Sequence, residues 1–110
     1  MFGFDSPLVD NPRVVTLQTI SGTGALKMVA LFLQKFRPAP IYVSNPSWPN
    51  HKPIFTSAGM DIREYRYFNM STKGLDLDGL CEDLSKAAPG SSVLFQACGH
   101  NPASVDPTPE

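Results

Sequence analysis

The first stretch able to do chemistry is Ile20 to Lys27, which reads Ile-Ser-Gly-Thr-Gly-Ala-Leu-Lys. It lies between a run of alternating β-formers, Arg13 to Thr19, and a helical pattern, Ala25 to Phe36. A helix start leaves its first N–H groups without intrahelical partners, and the helix dipole is positive there. Small residues let an anion approach the backbone, and Ser21 and Thr23 add hydroxyl donors, so Ser21–Gly24 reads as a phosphate seat. The same residues also read as an ordinary N-cap with a glycine turn. Two nucleotide motifs fail here. A Walker A loop needs Gly-Lys-[Ser/Thr], but Ala25 follows Gly24; a dinucleotide fingerprint needs a third small residue where Lys27 stands.

Trp48, the only tryptophan, lies in a polar loop, Asn45–His51, where a lone ring most simply plugs a hydrophobic gap. By itself His51 reads as a histidine that opens a helix, and Asn101 as a turn residue before Pro102. Cys81 and Cys98 do not form a Cys-x-x-Cys pair, so two reduced thiols are expected, with neither a disulfide nor a zinc site.

The elements that must position these residues follow from periodicity. Residues 1–12 read as an arm or loop. Arg13–Thr19 is a strand candidate with Val15, Leu17 and Thr19 on one face. Leu26, Val29, Ala30 and Leu33 give the helical i, i+3, i+4, i+7 stripe, and Met28 and Phe32 widen it, which predicts cover on more than one side. Pro38 and Pro40 end that helix. Ile41–Ser44 is a short apolar strand of the kind buried on both faces. Asn50 is placed to cap a helix over His51–Ala58, with Gly59 beyond its end. Asp61–Phe68 reads as a strand and Asn69–Gly74 as a turn. Leu77, Leu80, Cys81 and Leu84 form a second helical stripe, capped by Asp76 or Asp78, and Ser92–Ala97 is the last strand. This alternation predicts an α/β fold, three-layer α/β/α with a mainly parallel sheet. Ligands bind beyond the carboxyl ends of such strands. The loops there, Ser21–Gly24, Asn45–His51 and Cys98–Ser104, hold most of the notable polar residues. Asp106-Pro-Thr-Pro-Glu110 reads as the opening of a helix that does not follow, so a truncated chain is expected.

With 110 residues and a net charge of −1, the chain suits one small domain, burying roughly 60–70% of its unfolded surface. Scattered basic residues give no footprint for nucleic acid or an anionic membrane. No apolar run approaches the roughly 20 residues of a membrane span. The N-terminus resembles no targeting segment, which makes cytoplasmic the expected location.

Taken together, the pieces resemble aspartate aminotransferase, a fold-type I pyridoxal-phosphate enzyme. They are Phe2-Gly-Phe-Asp-Ser-Pro-Leu8, Gln18-Thr-Ile-Ser-Gly-Thr-Gly-Ala-Leu26, Ser44-Asn-Pro-Ser-Trp-Pro-Asn-His51, Glu64-Tyr-Arg-Tyr67, Lys73-Gly-Leu-Asp76, His100-Asn-Pro102 and Asp106-Pro-Thr-Pro109. The resemblance implies that residues 1–110 are the central part of the large domain. It implies pyridoxal 5′-phosphate as cofactor, L-aspartate and 2-oxoglutarate as substrates, and a homodimer. Ser21, Gly22 and Thr23 would hold the cofactor phosphate. Trp48 would stack on the pyridine ring, and His51 would orient the aspartate that pairs with the ring nitrogen. Asn101 would meet the phenolic oxygen and, with Trp48, the substrate.

Where that family has His-x-Cys-x-His-Asn-Pro-Thr-Gly, this chain has Gln96-Ala-Cys-Gly-His-Asn-Pro-Ala-Ser104. Gln96 replaces a histidine of the cofactor-support network and cannot be protonated. Ala103 and Ser104 replace Thr-Gly, which removes a permissive backbone position if one with positive φ is needed. The Schiff-base lysine, the aspartate of the ring nitrogen and the substrate-binding arginines have no match, so no catalytic residue is expected and the chain alone is expected to be inactive. Two other readings stand beside a truncated aminotransferase: a non-catalytic remnant that dimerises with a full-length relative, and a generic phosphate-binding α/β module.

Overall fold

The structure is a computed structural model that describes residues 6–8 and 11–108. At its centre lies β1, Ile41–Asn45, flanked in parallel by β2, Ile62–Arg66, and by β5, Ser92–Leu94, in the order β2-β1-β5. The first four residues of β1 are buried, as a short apolar run between two covered faces requires. Register sets Ile41 beside both Ile62 and Ser92, and Ser44 beside Tyr65.

Alternation along β1 sends its side chains to two cores. Ile41 and Val43 face α1, Ser21–Phe36, and α2, His51–Thr56, packing with Ala30, Phe55 and Met60. Tyr42 faces the other way, with Tyr65, Tyr67 and Leu80 of α3, Leu77–Ser85. Helices thus cover both faces of a parallel sheet, and the three-layer α/β/α expectation holds. Between β2 and α3 the chain makes a small antiparallel hairpin from β3, Phe68–Asn69, and β4, Gly74–Leu75. Asn69 Oδ1 closes its turn by accepting the N–H groups of Ser71 and Thr72. Arg66 ties β2 to α3: its guanidinium meets Asp83 at 2.7 Å and Glu82 at 2.5 Å.

Several local expectations are corrected. Arg13–Thr19 is not a strand: no strand pairs with it among the described residues, and Val15 and Leu17 are exposed. The first helix begins at Ser21 rather than Ala25, so the glycine-rich stretch is its first turn. Met28 and Phe32 are exposed, not covered. Asn50 does not cap α2 through its side chain, and that helix stops at Thr56. The Asp61–Phe68 strand is split at Tyr67, and the last strand is only three residues long. The expected terminal helix opening falls on Pro109 and Glu110, which lie outside the described residues, as does most of the 1–12 arm. Both cysteines are free and exposed.

Candidate functional site

The short Arg37–Pro40 connection between α1 and β1 makes the helix run back along the sheet. At 16 residues, α1 is about 24 Å long, against roughly 17 Å for a five-residue strand. Its Ser21 end therefore reaches the carboxyl ends of the strands, where the loops after β1 and β5 also lie. Ser21 itself takes φ +57°, a left-handed residue that swings the extended segment into the helix. Ile20 supplies no side-chain cap; the first bond of the ladder runs from the Gly24 N–H to the Ile20 carbonyl at 3.1 Å. Among the described residues nothing accepts from the backbone N–H groups of Ser21, Gly22 or Thr23. All three residues are exposed, and a Cβ built on Gly22 would meet nothing within 4 Å. An anion has both donors and room there.

The loop after β1 places Trp48 against His51, ring edge to face, with centroids 5.3 Å apart. Ser47 Oγ lies 2.7 Å from His51 Nδ1. A hydroxyl donating to Nδ1 leaves the ring proton on Nε2, which has no partner among the described residues and can donate to an incoming group. Burial, and then the nearby His100, hold His51 below the ordinary imidazole range.

The loop after β5 is organised by His100, which is 2% exposed. Its ring stacks on Tyr67 with centroids 3.9 Å apart, and its Nε2 lies 3.0 Å from Ser44 Oγ at the end of β1. Asp106 accepts the backbone N–H groups of Gly99 and His100 at 2.7 and 2.9 Å, and those bonds hold its carboxyl below the usual range. Tyr67 donates to the Val105 carbonyl at 2.7 Å; burial, then the charge of Asp106, raises its phenol. Asn101, next to His100, is exposed.

The structure thus brings Trp48 and His51 into ring contact and joins the β1 and β5 loops through Ser44 and His100. Ser21, Gly22 and Thr23 share their edge of the sheet, but no hydrogen bond links them to the other loops among the described residues. Sequence reading passed over Ser44, Ser47, Tyr67 and Asp106. Ser44, Tyr67 and Asp106 act through partners distant in the chain or through backbone, whereas Ser47 meets His51 only four residues on. The recurrence of tyrosine at 65 and 67 is the one sequence signal for an aromatic wall. Among the described residues no cluster of His, Cys, Asp or Glu could hold a metal, and no helix is long and apolar enough to cross a membrane.

A parallel sheet with helices on both faces and ligand-ready loops at its carboxyl edge defines an α/β protein that binds its ligand at that edge. A family model described as aminotransferase class I and II matches residues 1–110, and the chain belongs to that family. It is 48% identical over 109 residues to "Aspartate aminotransferase, cytoplasmic" of Oryza sativa subsp. japonica, covering 98% of this chain and 27% of that protein. It is likewise 48% identical over 111 residues to "Aspartate aminotransferase" of Escherichia coli strain K12, covering 100% of this chain and 28% of that one. Among solved structures, aspartate aminotransferase from the cytoplasm of Saccharomyces cerevisiae superposes with a TM-score of 0.92 at 42% identity, over 97% of this chain and 26% of that one. An aromatic-amino-acid aminotransferase from Burkholderia pseudomallei, covalently bound to pyridoxal phosphate, gives a TM-score of 0.93 at 44% identity, over 97% and 27% of the two chains. The chain spans about a quarter of the length of these relatives.

Proposed function

We propose that residues 1–110 form the phosphate- and ring-binding part of a pyridoxal-phosphate-dependent aspartate aminotransferase, which moves an amino group between L-aspartate and 2-oxoglutarate. The observation that carries this reading is the uncapped start of α1, where the N–H groups of Ser21, Gly22 and Thr23 meet open space. The residues present suit the cofactor. Ser21, Gly22 and Thr23 offer donors to a phosphate. Trp48 offers a half-buried aromatic face to a flat ring. His51 offers an N–H on the side away from Ser47, and Asn101 an exposed amide. When bound, pyridoxal phosphate supplies an electron sink for charge developing at the substrate's α-carbon. The chain's own residues bind and orient. Trp48 would stack on the ring, His51 would hold a proton at Nε2 and help orient the carboxylate that pairs with the ring nitrogen, and Asn101 would donate to the phenolic oxygen and contact a substrate carboxylate.

The lysines of this chain are committed elsewhere. Lys27 donates to Ser57 at 2.7 Å, Lys52 pairs with Glu64, and Lys86 pairs with Glu82 at 2.7 Å. Lys35 lies 5.4 Å from the Phe36 ring, and Lys73 sits in the hairpin turn. Among the described residues no hydrogen bond or ion pair joins a lysine to Ser21, Trp48, His51 or Asn101, and reacting atoms must come within about 3–3.5 Å, so transaminase turnover by these residues alone is not expected. A homodimer and a cytoplasmic setting are part of the same proposal, the latter supported by relatives named for the cytoplasm.

The reading is tested by titrating the chain with pyridoxal phosphate while following Trp48 fluorescence. Binding should be roughly millimolar, about 4 kcal/mol, and should weaken in Thr23→Ala. A sub-micromolar affinity, or a response indifferent to Thr23→Ala, would count against the placement. In parallel, aspartate, 2-oxoglutarate and cofactor should yield no more oxaloacetate with the chain than without it.

A further inference from the structure

Gln96 follows β5 and meets the Asn101 peptide from both sides. Its Oε1 accepts the Asn101 N–H at 2.9 Å, and its Nε2 donates to the Asn101 carbonyl at 3.1 Å. Those two bonds fix which way round the amide lies, because the flipped amide would set oxygen on oxygen and N–H on N–H. The remaining N–H of the amide is left for His100 Nε2, 3.3 Å away.

The imidazole of His100 is thus surrounded by donors. The Ala103 N–H lies 3.4 Å from Nδ1, the Gln96 amide faces Nε2, and the Ser44 hydroxyl, 3.0 Å from Nε2, can donate or accept. A neutral ring, with one N–H, meets these fixed donors with one poor contact. An imidazolium, with an N–H on each nitrogen, would meet them with two. Three titratable groups face the ring: Tyr67 stacked on it, His51 across from it, and Asp106. A hydrogen bond to its own backbone and, of those groups, Asp106 favour a positive charge there, and the Asp106 oxygens already accept the backbone N–H groups of Gly99 and His100. Burial works against the charge, and is the main cause of His100 lying below the ordinary imidazole range.

We propose that Gln96 is the positioning residue of this loop: it clamps the Asn101 peptide and presents a donor to His100, so that Asn101 keeps one geometry through the pH range in which an exposed histidine changes charge. The use of Asn101 for cofactor rests on the function proposed above; the clamp does not.

NMR of the full 15N-labelled chain between pH 8 and 5.5 tests the clamp, following the Asn101 amide and the His100 ring nitrogens. In the parent chain His100 should titrate below an exposed histidine and the Asn101 amide should not shift with it. Gln96→Ala should speed exchange of the Asn101 amide by about tenfold, as expected for losing a hydrogen bond of ordinary net strength. Gln96→Glu keeps an acceptor for the Asn101 N–H but turns an oxygen towards Nε2. His100 should then titrate within that range and carry the Asn101 amide with it, a response that loss of a merely structural side chain would not produce. A parent His100 with an ordinary midpoint near about 6.5, or a Gln96→Glu chain whose His100 behaves as the parent's, overturns the proposal. Titrating the parent and Gln96→Ala with pyridoxal phosphate separates the two claims. A lost clamp with unchanged affinity supports the clamp and overturns the role of Asn101 in cofactor binding.

Discussion

Ser104 holds φ at +53°, in the left-handed region where a side chain crowds the backbone. Its N–H closes the His100–Ser104 turn on the His100 carbonyl at 2.7 Å, so the conformation is enforced by the loop around His100. The aminotransferase pattern that this loop resembles has glycine at this place, the residue that adopts positive φ without strain. Relief of about 1–2 kcal/mol is partly offset by the greater freedom of glycine in the unfolded chain, about 0.4–1 kcal/mol. Ser104→Gly should therefore stabilise the protein by about 0.5–1 kcal/mol, read as a higher urea midpoint at unchanged slope. A lower midpoint would mean that the Ser104 hydroxyl does something its exposed position does not suggest. Ser21 carries the same strain at φ +57°, but glycine there would also remove a hydroxyl from the proposed phosphate seat.

At the scale of elements, α3 shows how a local signal becomes structure. Asp76 Oδ1 accepts the Gly79 N–H at 3.1 Å, which caps the first turn. Asp76→Ala should cost about 1 kcal/mol. Gly79→Ala would stabilise the helix by about 1 kcal/mol on propensity alone, yet a Cβ at Gly79 would lie 2.5 Å from Asp76 Oδ2. The cap must then move, so equilibrium unfolding should find Gly79→Ala neutral or destabilising, and a full gain would show that the carboxylate yields without loss. This cap, the helix of α3 and buried β1 were legible in the sequence because their causes lie within a few residues; of the α3 stripe only Leu80 and Leu84 reach the core, Leu77 and Cys81 being exposed. The carboxyl-edge location of the loops was legible too, since it follows from the alternation of strands and helices. Arg13–Thr19 was misread because alternation supplies only one side of a strand. Pairing needs a neighbour, and the described residues provide none. The Tyr67–His100 stack and the Ser44–His100 bond were not legible, because they join residues 33 and 56 positions apart across the sheet edge.

For the molecule as a whole, the accessible surface is 7906 Å², about a third more than the roughly 6,000 Å² expected of a compact 12.0 kDa monomer. The radius of gyration, 15.4 Å, likewise exceeds the roughly 13 Å of a compact domain this size. The excess has an apolar part in two places. Val15, Leu17 and Ile20 line the extended segment before α1, at 80, 63 and 91% exposure, and Met28, Val29, Leu31, Phe32 and Phe36 lie open on α1 itself. Exposed apolar side chains in such number favour association. β5 adds to it: it pairs only with β1 among the described residues, leaving Val93 and Phe95 exposed beside a free edge. The 110-residue chain alone should therefore self-associate at micromolar concentration, or melt broadly with a weak cooperative transition. Phe32→Glu together with Leu17→Lys should reduce association without loss of helix signal, because neither side chain contributes to the buried core. Sedimentation and thermal unfolding of the parent and the double variant measure both effects. A dilute, monomeric parent with a sharp melt above about 60 °C, in the upper part of the mesophile range, would show that the core between β1 and its flanking helices is sufficient without cover on those faces.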